Sequence, residues 1–254
     1  MKYLGYILKI VPYLIINYWR IFKNAVFKKK ISYVKRYQEI RKIITKVNKD
    51  LKIELIVSGV KELPVTQSFM MTPNHQSFMD SLVLVQFMKQ ESTFVAKKES
   101  KKYIFVGKAI EAIDGLYLDR KNLRQEINIM KEVKNSLKTE NKKWIIFPEG
   151  TRTRDENFKL GEFKAGSLKM AMSAQVDIYP VALWGSFKPL SLKYNQKKYP
   201  VFIHIFEPIK PEVYNNMKTT ELAPLIQNMI SEKVEEFKIL DQQYLENLNK
   251  KKSK

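Results

Sequence analysis

Residues 41–59, "RKIITKVNKDLKIELIVSG", contain the point at which the apolar period of this chain changes. In residues 31–49 the apolar positions are three and four apart, which is typical of a helix with one apolar and one basic face. From residue 51 onward, alternate positions are apolar: Leu51, Ile53, Leu55 and Val57. This alternation predicts a strand. We therefore expect residues 31–50 to connect an N-terminal helical segment to a mixed domain.

The rest of the chain alternates between short apolar runs and helical stripes. Further strands are predicted at residues 69–72, 93–96, 115–118, 143–147, 178–183 and 201–206. Helices are predicted at residues 77–88, 101–113, 123–137, 164–173 and 221–240. This alternation predicts an α/β domain in which helices flank a largely parallel sheet.

The length of 254 residues suits one domain with a small appendage. We predict a helical membrane-binding segment at 1–50, the α/β domain at 51–245 and a disordered basic tail at 246–254. The chain contains no cysteine, so disulfides, thiolate nucleophiles and thiolate metal sites are excluded.

The charge is strongly positive and unevenly distributed. The formal net charge is +20, and residues 1–50 contain thirteen lysines or arginines but only two acidic residues. Such a charge predicts an anionic partner: nucleic acid, an anionic membrane surface or a phosphorylated substrate. Basic and large apolar residues interleave in the N-terminal segment, which favours a membrane surface over nucleic acid.

The N-terminal apolar stretch is short for a membrane span. Only ten residues separate Lys9 from Arg20, and they include Pro12 and Asn17, whereas a span needs about 20 mostly apolar residues. We interpret the stretch as a helix lying in the membrane interface. A distorted span, with its charged ends snorkelling, and an amphipathic helix docked on the protein are the alternatives.

Three polar clusters follow predicted strands. They are "NHQSFMD" at 74–80, "LDR" at 118–120 and "FPEGTRTR" at 147–154. Ligands of α/β sheets bind at the loops beyond the carboxyl ends of the strands. Histidine, acidic and arginine residues in three such loops therefore predict a site at this edge.

His75 and Asp80 are five residues apart, which on a regular helix would place them about 140° from each other. If His75 lies in the turn before a helix, with Ser77 as its N-cap, Asp80 is in the first turn and reaches back to the imidazole. A carboxylate on one ring nitrogen leaves the other nitrogen as a base. The alternative is a loop histidine near an aspartate that the helix dipole favours. The other histidine, His204 in "VFIHIF", is interpreted as a packed strand residue.

In the third cluster Gly150 permits a tight loop, and Arg152 and Arg154 have the donor geometry for phosphate. A solvated basic loop is the alternative.

Together these residues resemble the glycerolipid acyltransferases of the 1-acylglycerol-3-phosphate acyltransferase type. Four sequence blocks carry the resemblance, in order along residues 51–210: "NHQSFMD", "GLYLDR", "FPEGTRT" and "IYPVAL". Thr153 stands where serine is commoner in the third block.

The resemblance implies an enzyme of phospholipid biosynthesis that transfers an acyl chain from acyl-CoA or acyl-carrier protein to the free sn-2 hydroxyl of a lysophospholipid, 1-acylglycerol 3-phosphate, making phosphatidic acid. It implies that His75 is the base and that Asp80 orients it and stabilises the imidazolium. It further implies a substrate-binding set of Lys97, Arg120, Glu149, Gly150, Thr151 and Arg152, with no metal and no cofactor beyond the acyl donor.

The expected location is the cytoplasmic face of the cell membrane, to which the protein is bound peripherally. The expected partner is an anionic membrane surface and not nucleic acid. Three alternatives stay open: another acceptor such as glycerol 3-phosphate, a non-catalytic lipid-binding protein of the same fold, and a nucleic-acid-binding module.

Overall fold

The computed structural model describes residues 2–60, 62–153 and 159–250, and a seven-stranded sheet forms their centre. The strands are β1 (Ile53–Gly59), β2 (Phe69–Pro73), β3 (Ser92–Lys97), β4 (Leu116–Leu118), β5 (Lys143–Ile145), β6 (Asp177–Trp184) and β7 (Tyr199–Ile205). Each of them lies at a position where the sequence predicts a strand.

The strand order is β1-β7-β6-β2-β5-β3-β4. The five strands β6, β2, β5, β3 and β4 are mutually parallel, because each neighbouring pair among them is parallel. Strand β7 is antiparallel to β6, and β1 is parallel to β7. Only a short 3-10 turn, Lys188–Leu190, lies between β6 and β7, whereas a parallel crossover usually contains a helix. The prediction of a largely parallel sheet is confirmed.

Helices cover both faces of the sheet. They are α1 (Lys2–Val26), α2 (Tyr33–Asp50), α3 (Met79–Phe87), α4 (Ile104–Ala112), α5 (Leu123–Thr139), α6 (Lys169–Ala174), α7 (Pro211–Tyr214) and α8 (Thr219–Lys250). One hydrophobic core lies between the sheet and α1 to α4, and a second lies between the sheet and α5 to α8. All five residues of β2 are buried, as expected for a parallel strand covered on both faces.

The N-terminal helices pack on the domain. Helices α1 and α2 form an antiparallel pair, in which Asn24 Nδ2 donates to Glu39 Oε2 at 2.6 Å and Lys46 lies over the ring of Tyr13. Tyr6 and Ile21 of α1 belong to the first core. Among the described residues, no helix is both long enough and apolar enough to cross a membrane.

Several helix ends differ from the predictions. The predicted helix 101–113 divides into a 3-10 turn, Lys98–Lys102, and α4, and the predicted helix 164–173 divides into a 3-10 turn, Ala165–Leu168, and α6. The short helix α7 and the turn Lys188–Leu190 were not predicted.

The prediction of a disordered tail is wrong for residues 246–250, which continue α8. Lysine and leucine are good helix formers, and no glycine or proline interrupts residues 225–250. Residues 251–254 lie outside the described part of the chain.

Candidate active site

The three predicted clusters lie along the carboxyl edge of the parallel strands. His75 follows β2, the Glu149–Arg152 loop follows β5, Lys97 ends β3 and Arg120 follows β4. Because these four strands are neighbours in the sheet, their ends bring the candidate residues to one edge.

The loop that carries His75 is fixed to β6 by the residue before it. Pro73 has no N–H to donate to the neighbouring strand. The side chain of Asn74 continues the pairing instead: its Nδ2 donates to the carbonyl of Leu183 at 3.1 Å, and its Oδ1 accepts the Leu183 N–H at 2.7 Å. The chain therefore leaves the sheet at a defined position directly before His75.

His75 and Asp80 are in contact, as the sequence analysis predicts. His75 Nδ1 lies 2.7 Å from Asp80 Oδ2, and Asp80 is in the first turn of α3. The prediction of Ser77 as N-cap is wrong by one residue, because α3 begins at Met79 and Phe78 is the N-cap. Ser77 still caps the helix in part, since its Oγ accepts the Met79 N–H at 3.1 Å.

Four donors hold the carboxylate of Asp80, which is fully buried. Besides His75, the backbone N–H groups of Gln76 and Ser77 donate to Oδ2 at 2.7 and 2.8 Å. The hydroxyl of Ser186 donates to Oδ1. Sequence reasoning missed Ser186, because it lies beyond the end of β6 and far along the chain from Asp80.

The backbone and ring of His75 are held by the segment after β5. The His75 N–H donates to Glu149 Oε1 at 2.7 Å, and its carbonyl accepts the Thr153 N–H at 2.8 Å. Its ring stacks on Phe147 with a centroid distance of 4.0 Å. The clusters at 74–80 and 147–153 thus form one unit.

This arrangement determines which nitrogen of His75 is available. A carboxylate only accepts hydrogen bonds, so Nδ1 carries the hydrogen and Nε2 carries the lone pair. No described residue is hydrogen-bonded to Nε2, and the side chain of His75 is 18% exposed. The geometry is that of a general base oriented by a carboxylate.

Glu149 connects three segments. Its Oε2 accepts the Gly161 N–H at 2.9 Å while Oε1 binds the N–H of His75. Burial raises the pKa of this carboxyl, although the two N–H donors oppose the shift. Since both oxygens have backbone partners, Glu149 shapes the site by joining the loops around it.

Gly150 forms the tight turn that the sequence predicts. Its φ is +66° and its N–H donates to the Phe147 carbonyl at 3.0 Å. A side chain at this position would be strained by the backbone angle, although a Cβ there would meet Lys164 Nζ only at 3.5 Å.

The candidate phosphate-binding cations are exposed at this edge. Arg120 and Arg152 are exposed and have no hydrogen-bond or ion-pair partner among the described residues. Lys97 pairs loosely with Glu99 at 3.4 Å, whereas Lys98 donates to Asp119 at 2.9 Å. Of the two adjacent lysines, Lys97 therefore has the longer and weaker ion pair.

The two threonines of the third block differ in whether their side chains are free to contact a ligand. Thr151 is exposed, but the hydroxyl of Thr153 donates to the Lys159 carbonyl at 2.6 Å. Arg154, predicted as a second phosphate ligand, lies outside the described residues. His204 is a strand residue, as predicted: it is partly buried in β7 and its Nδ1 lies 2.9 Å from Ser58 Oγ.

Residues 54–184 match the family Acyltransferase. The chain belongs to that family. This acyltransferase is 31% identical over 206 residues to the probable 1-acyl-sn-glycerol-3-phosphate acyltransferase of Mycoplasma genitalium, covering 74% of this chain and 75% of the relative. It is 32% identical over 131 residues to the 1-acyl-sn-glycerol-3-phosphate acyltransferase alpha of Mus musculus, covering 52% of this chain and 45% of the relative.

The acyltransferase also resembles a solved structure over almost its whole length. The crystal structure of the 1-acyl-sn-glycerophosphate (LPA) acyltransferase from Thermotoga maritima superposes with a TM-score of 0.71 and 25% sequence identity. The superposition covers 94% of this chain and 98% of that one. The similarity thus extends well beyond the segment that matches the family.

Proposed function

We propose that this acyltransferase transfers an acyl chain from an acyl thioester to the free sn-2 hydroxyl of 1-acylglycerol 3-phosphate and so makes phosphatidic acid. The observation that carries the proposal is the 2.7 Å contact of His75 Nδ1 with Asp80, which leaves Nε2 directed away from its partner. The names of the relatives in Mycoplasma genitalium and Mus musculus support the choice of acceptor.

In the proposed mechanism, His75 Nε2 removes the proton from the sn-2 hydroxyl as its oxygen attacks the thioester carbonyl. The tetrahedral intermediate then collapses, the carbon–sulfur bond breaks, and the departing thiolate takes the proton back from the imidazolium. The products are the new ester and the free thiol of the carrier. Asp80 stabilises the transient imidazolium and keeps the ring in orientation.

The acceptor phosphate is assigned to Arg152, Arg120 and Lys97. Guanidinium groups match phosphate oxygens in geometry and charge, and both arginines lack a competing partner among the described residues. Thr151 and the backbone at Gly150 line the same loop, and Glu149 holds it against His75. Lys97 approaches from the adjacent end of β3.

The membrane surface is assigned to α1. Its exposed apolar strip consists of Leu4, Ile7, Leu8, Val11, Ile15, Ile16 and Trp19. Its opposite face contributes to the first core, so the protein displays the apolar strip in a fixed orientation. Lysines at 28–30 follow the helix and favour an anionic leaflet. We assign the protein to the cytoplasmic face of the membrane, where its thioester donors are made.

One experiment separates this function from its alternatives. Purified protein is incubated on anionic liposomes with 1-acylglycerol 3-phosphate, glycerol 3-phosphate or another lysophospholipid, each with acyl-CoA or acyl-carrier protein, and the lipid products are identified by mass. We expect phosphatidic acid from 1-acylglycerol 3-phosphate. Product from a different acceptor alone would replace the proposed acceptor, and no product with any donor would favour a lipid-binding role.

A further inference from the structure

We propose that the start of α4 is a second contact of this protein with an anionic lipid surface. This α4 tip consists of Lys101, Lys102, Tyr103 and Ile104. The inference rests on the proposed function, because it extends the membrane-facing surface assigned to α1.

The α4 tip exposes two adjacent large apolar side chains. Tyr103 and Ile104 are each 65% exposed. The backbone beneath them is tightly packed: the Gly107 N–H donates to the Tyr103 carbonyl at 2.7 Å, and the Tyr117 hydroxyl donates to the Gly107 carbonyl at 2.7 Å. A Cβ at Gly107 would lie only 2.6 Å from the Lys101 carbonyl oxygen. The tip is therefore a well-packed turn that holds its apolar side chains toward solvent.

The tip adjoins the exposed strip of α1. Helix α4 lies along the later half of α1, where Phe105 meets Tyr18 edge-on at 5.6 Å and Lys108 lies over Phe22. Ile15 and Val11 are three and seven residues before Tyr18, so they lie on the same helical face, and both are exposed. Residue numbers rise in the same direction along both helices at these two contacts, so the tip, which precedes Phe105, lies on the side of the exposed α1 turns that precede Tyr18.

The charge around the tip favours anionic lipid over another protein surface. Residues 97–102 contain four lysines and one acidic residue, Glu99, which pairs with Lys97. Lys102 has no partner among the described residues. Apolar side chains surrounded by lysines match the interface of an anionic bilayer, where the rings and aliphatic groups enter and the ammonium groups stay at the headgroups.

This contact would set the orientation of the active site. The turn that leads to the tip begins directly after Lys97, the last residue of β3, at the edge where His75 lies. With α1 and the α4 tip both on the bilayer, the opening of the site faces the surface from which a lipid acceptor enters.

The absence of cysteine in the chain allows a direct test. Ile104→Cys, Ile15→Cys and Val65→Cys are each labelled with an environment-sensitive fluorophore and mixed with phosphatidylglycerol vesicles that carry a lipid-bound quencher. Val65 is the matched control: it is 69% exposed, and its carbonyl accepts from Lys143 at the opposite edge of the sheet. We expect quenching at positions 104 and 15 and none at 65.

The other outcomes are distinguishable. Quenching at 15 without quenching at 104 overturns this inference and leaves the membrane role of α1 intact. Quenching at neither position overturns both. A change at 104 that appears without vesicles and increases with protein concentration would identify a protein contact and overturn the lipid assignment.

A charge substitution gives an independent measurement. Ile104→Glu should weaken binding to phosphatidylglycerol vesicles about tenfold, since it removes apolar burial and adds a repelled charge. Val65→Glu should bind as the unchanged protein does. Equal affinities for both variants, at equal thermal stability, would overturn the proposal.

Discussion

His75 has one ring nitrogen available for chemistry because Asp80 binds the other. The aspartate itself is positioned by the turn N–H groups and by Ser186, so the imidazole of the proposed base is oriented through several bonds at once. The proposed mechanism therefore depends on individual side-chain atoms, and removing each of them has a measurable expected effect.

His75→Ala should lower the acyl-transfer rate by about 10²–10⁴-fold, the usual contribution of a positioned general base. The matched control is His204→Ala, which removes the other histidine of the chain at a position in β7 and should retain activity. Steady-state rates and thermal unfolding are measured for both. A folded His75→Ala protein with near-normal turnover would exclude the proposed role.

Ser186→Ala should lower kcat about tenfold with little change in KM, because one oxygen of Asp80 loses its donor and an unpaired buried acceptor is costly. Ser58→Ala is the control, since the Ser58 hydroxyl bonds His204 instead of the candidate site. If KM rose and kcat stayed constant, Ser186 would be acting on substrate binding and not on the orientation of Asp80.

Arg152→Ala should raise KM for 1-acylglycerol 3-phosphate, as a charge-assisted bond to phosphate is worth about 1.5–3 kcal/mol. An acceptor without phosphate should show little additional loss. Lys138→Ala is the control: it removes one positive charge from the end of α5, near the opposite edge of the sheet, and should leave this KM unchanged. An equal defect with both acceptors would refute phosphate binding by Arg152.

At the scale of elements, an ion pair joins α2 to the turn before β4. Arg36 Nη1 and Nη2 each donate to a different carboxylate oxygen of Asp114 at 2.9 Å, and Lys28 Nζ lies 3.1 Å from Oδ1. Burial by itself would raise the pKa of Asp114, but the hydrogen bonds from Arg36 and Lys28 outweigh it and lower the pKa below its usual value. The N-terminal helix pair is thereby held on the sheet.

This lowered pKa predicts a pH dependence of stability. The contribution of Asp114 is fully present above the unfolded-state pKa of about 3.9 and is lost as the pH falls through the lower folded-state pKa. Asp114→Asn should cost about 2 kcal/mol in the free energy of unfolding at pH 7 and lose less stability on acidification. Asparagine tolerates the φ of 56° at this position. Urea unfolding at pH 7 and near pH 3.5 tests this, and equal pH dependence in both proteins would contradict it.

At the scale of the whole molecule, the proposed binding to an anionic membrane combines two features, the net charge of +20 and the exposed strip of α1. A deletion of α1 would not test this proposal cleanly, because α1 also contributes to the core. Deleting α1 would remove Tyr6, Ile21 and Ala25 from the first core as well as the exposed strip. A substitution on the exposed face leaves the core intact.

Ile16→Glu should weaken binding to anionic vesicles without lowering thermal stability, because Ile16 is 77% exposed. Added salt should weaken binding of the unchanged protein only in part, since screening acts on the lysines and not on apolar burial. Vesicle sedimentation at low and high salt measures both effects. Equal affinity of Ile16→Glu and the unchanged protein would exclude this face of α1 as a membrane contact.

The sequence by itself determined the strands, most of the helices and the candidates for chemistry. Apolar period located every strand of the described sheet, because side-chain alternation is a local property of the backbone. Motif spacing identified His75 and Asp80, and the turn at Pro73 and Asn74 was enough to predict that Asp80 reaches back to the imidazole. These features depend on residues that lie within a few positions of one another in the sequence.

Only the tertiary structure decided what depends on distant parts of the chain. The reversed direction of β7, the donor from Ser186 to Asp80, and the binding of Glu149 to the backbone of His75 join segments far apart in sequence. The same holds for the packing of α4 on α1, where the ring of Phe105 meets that of Tyr18. Local periodicity carries no information about which elements become neighbours, because that choice is made by burying apolar faces against each other.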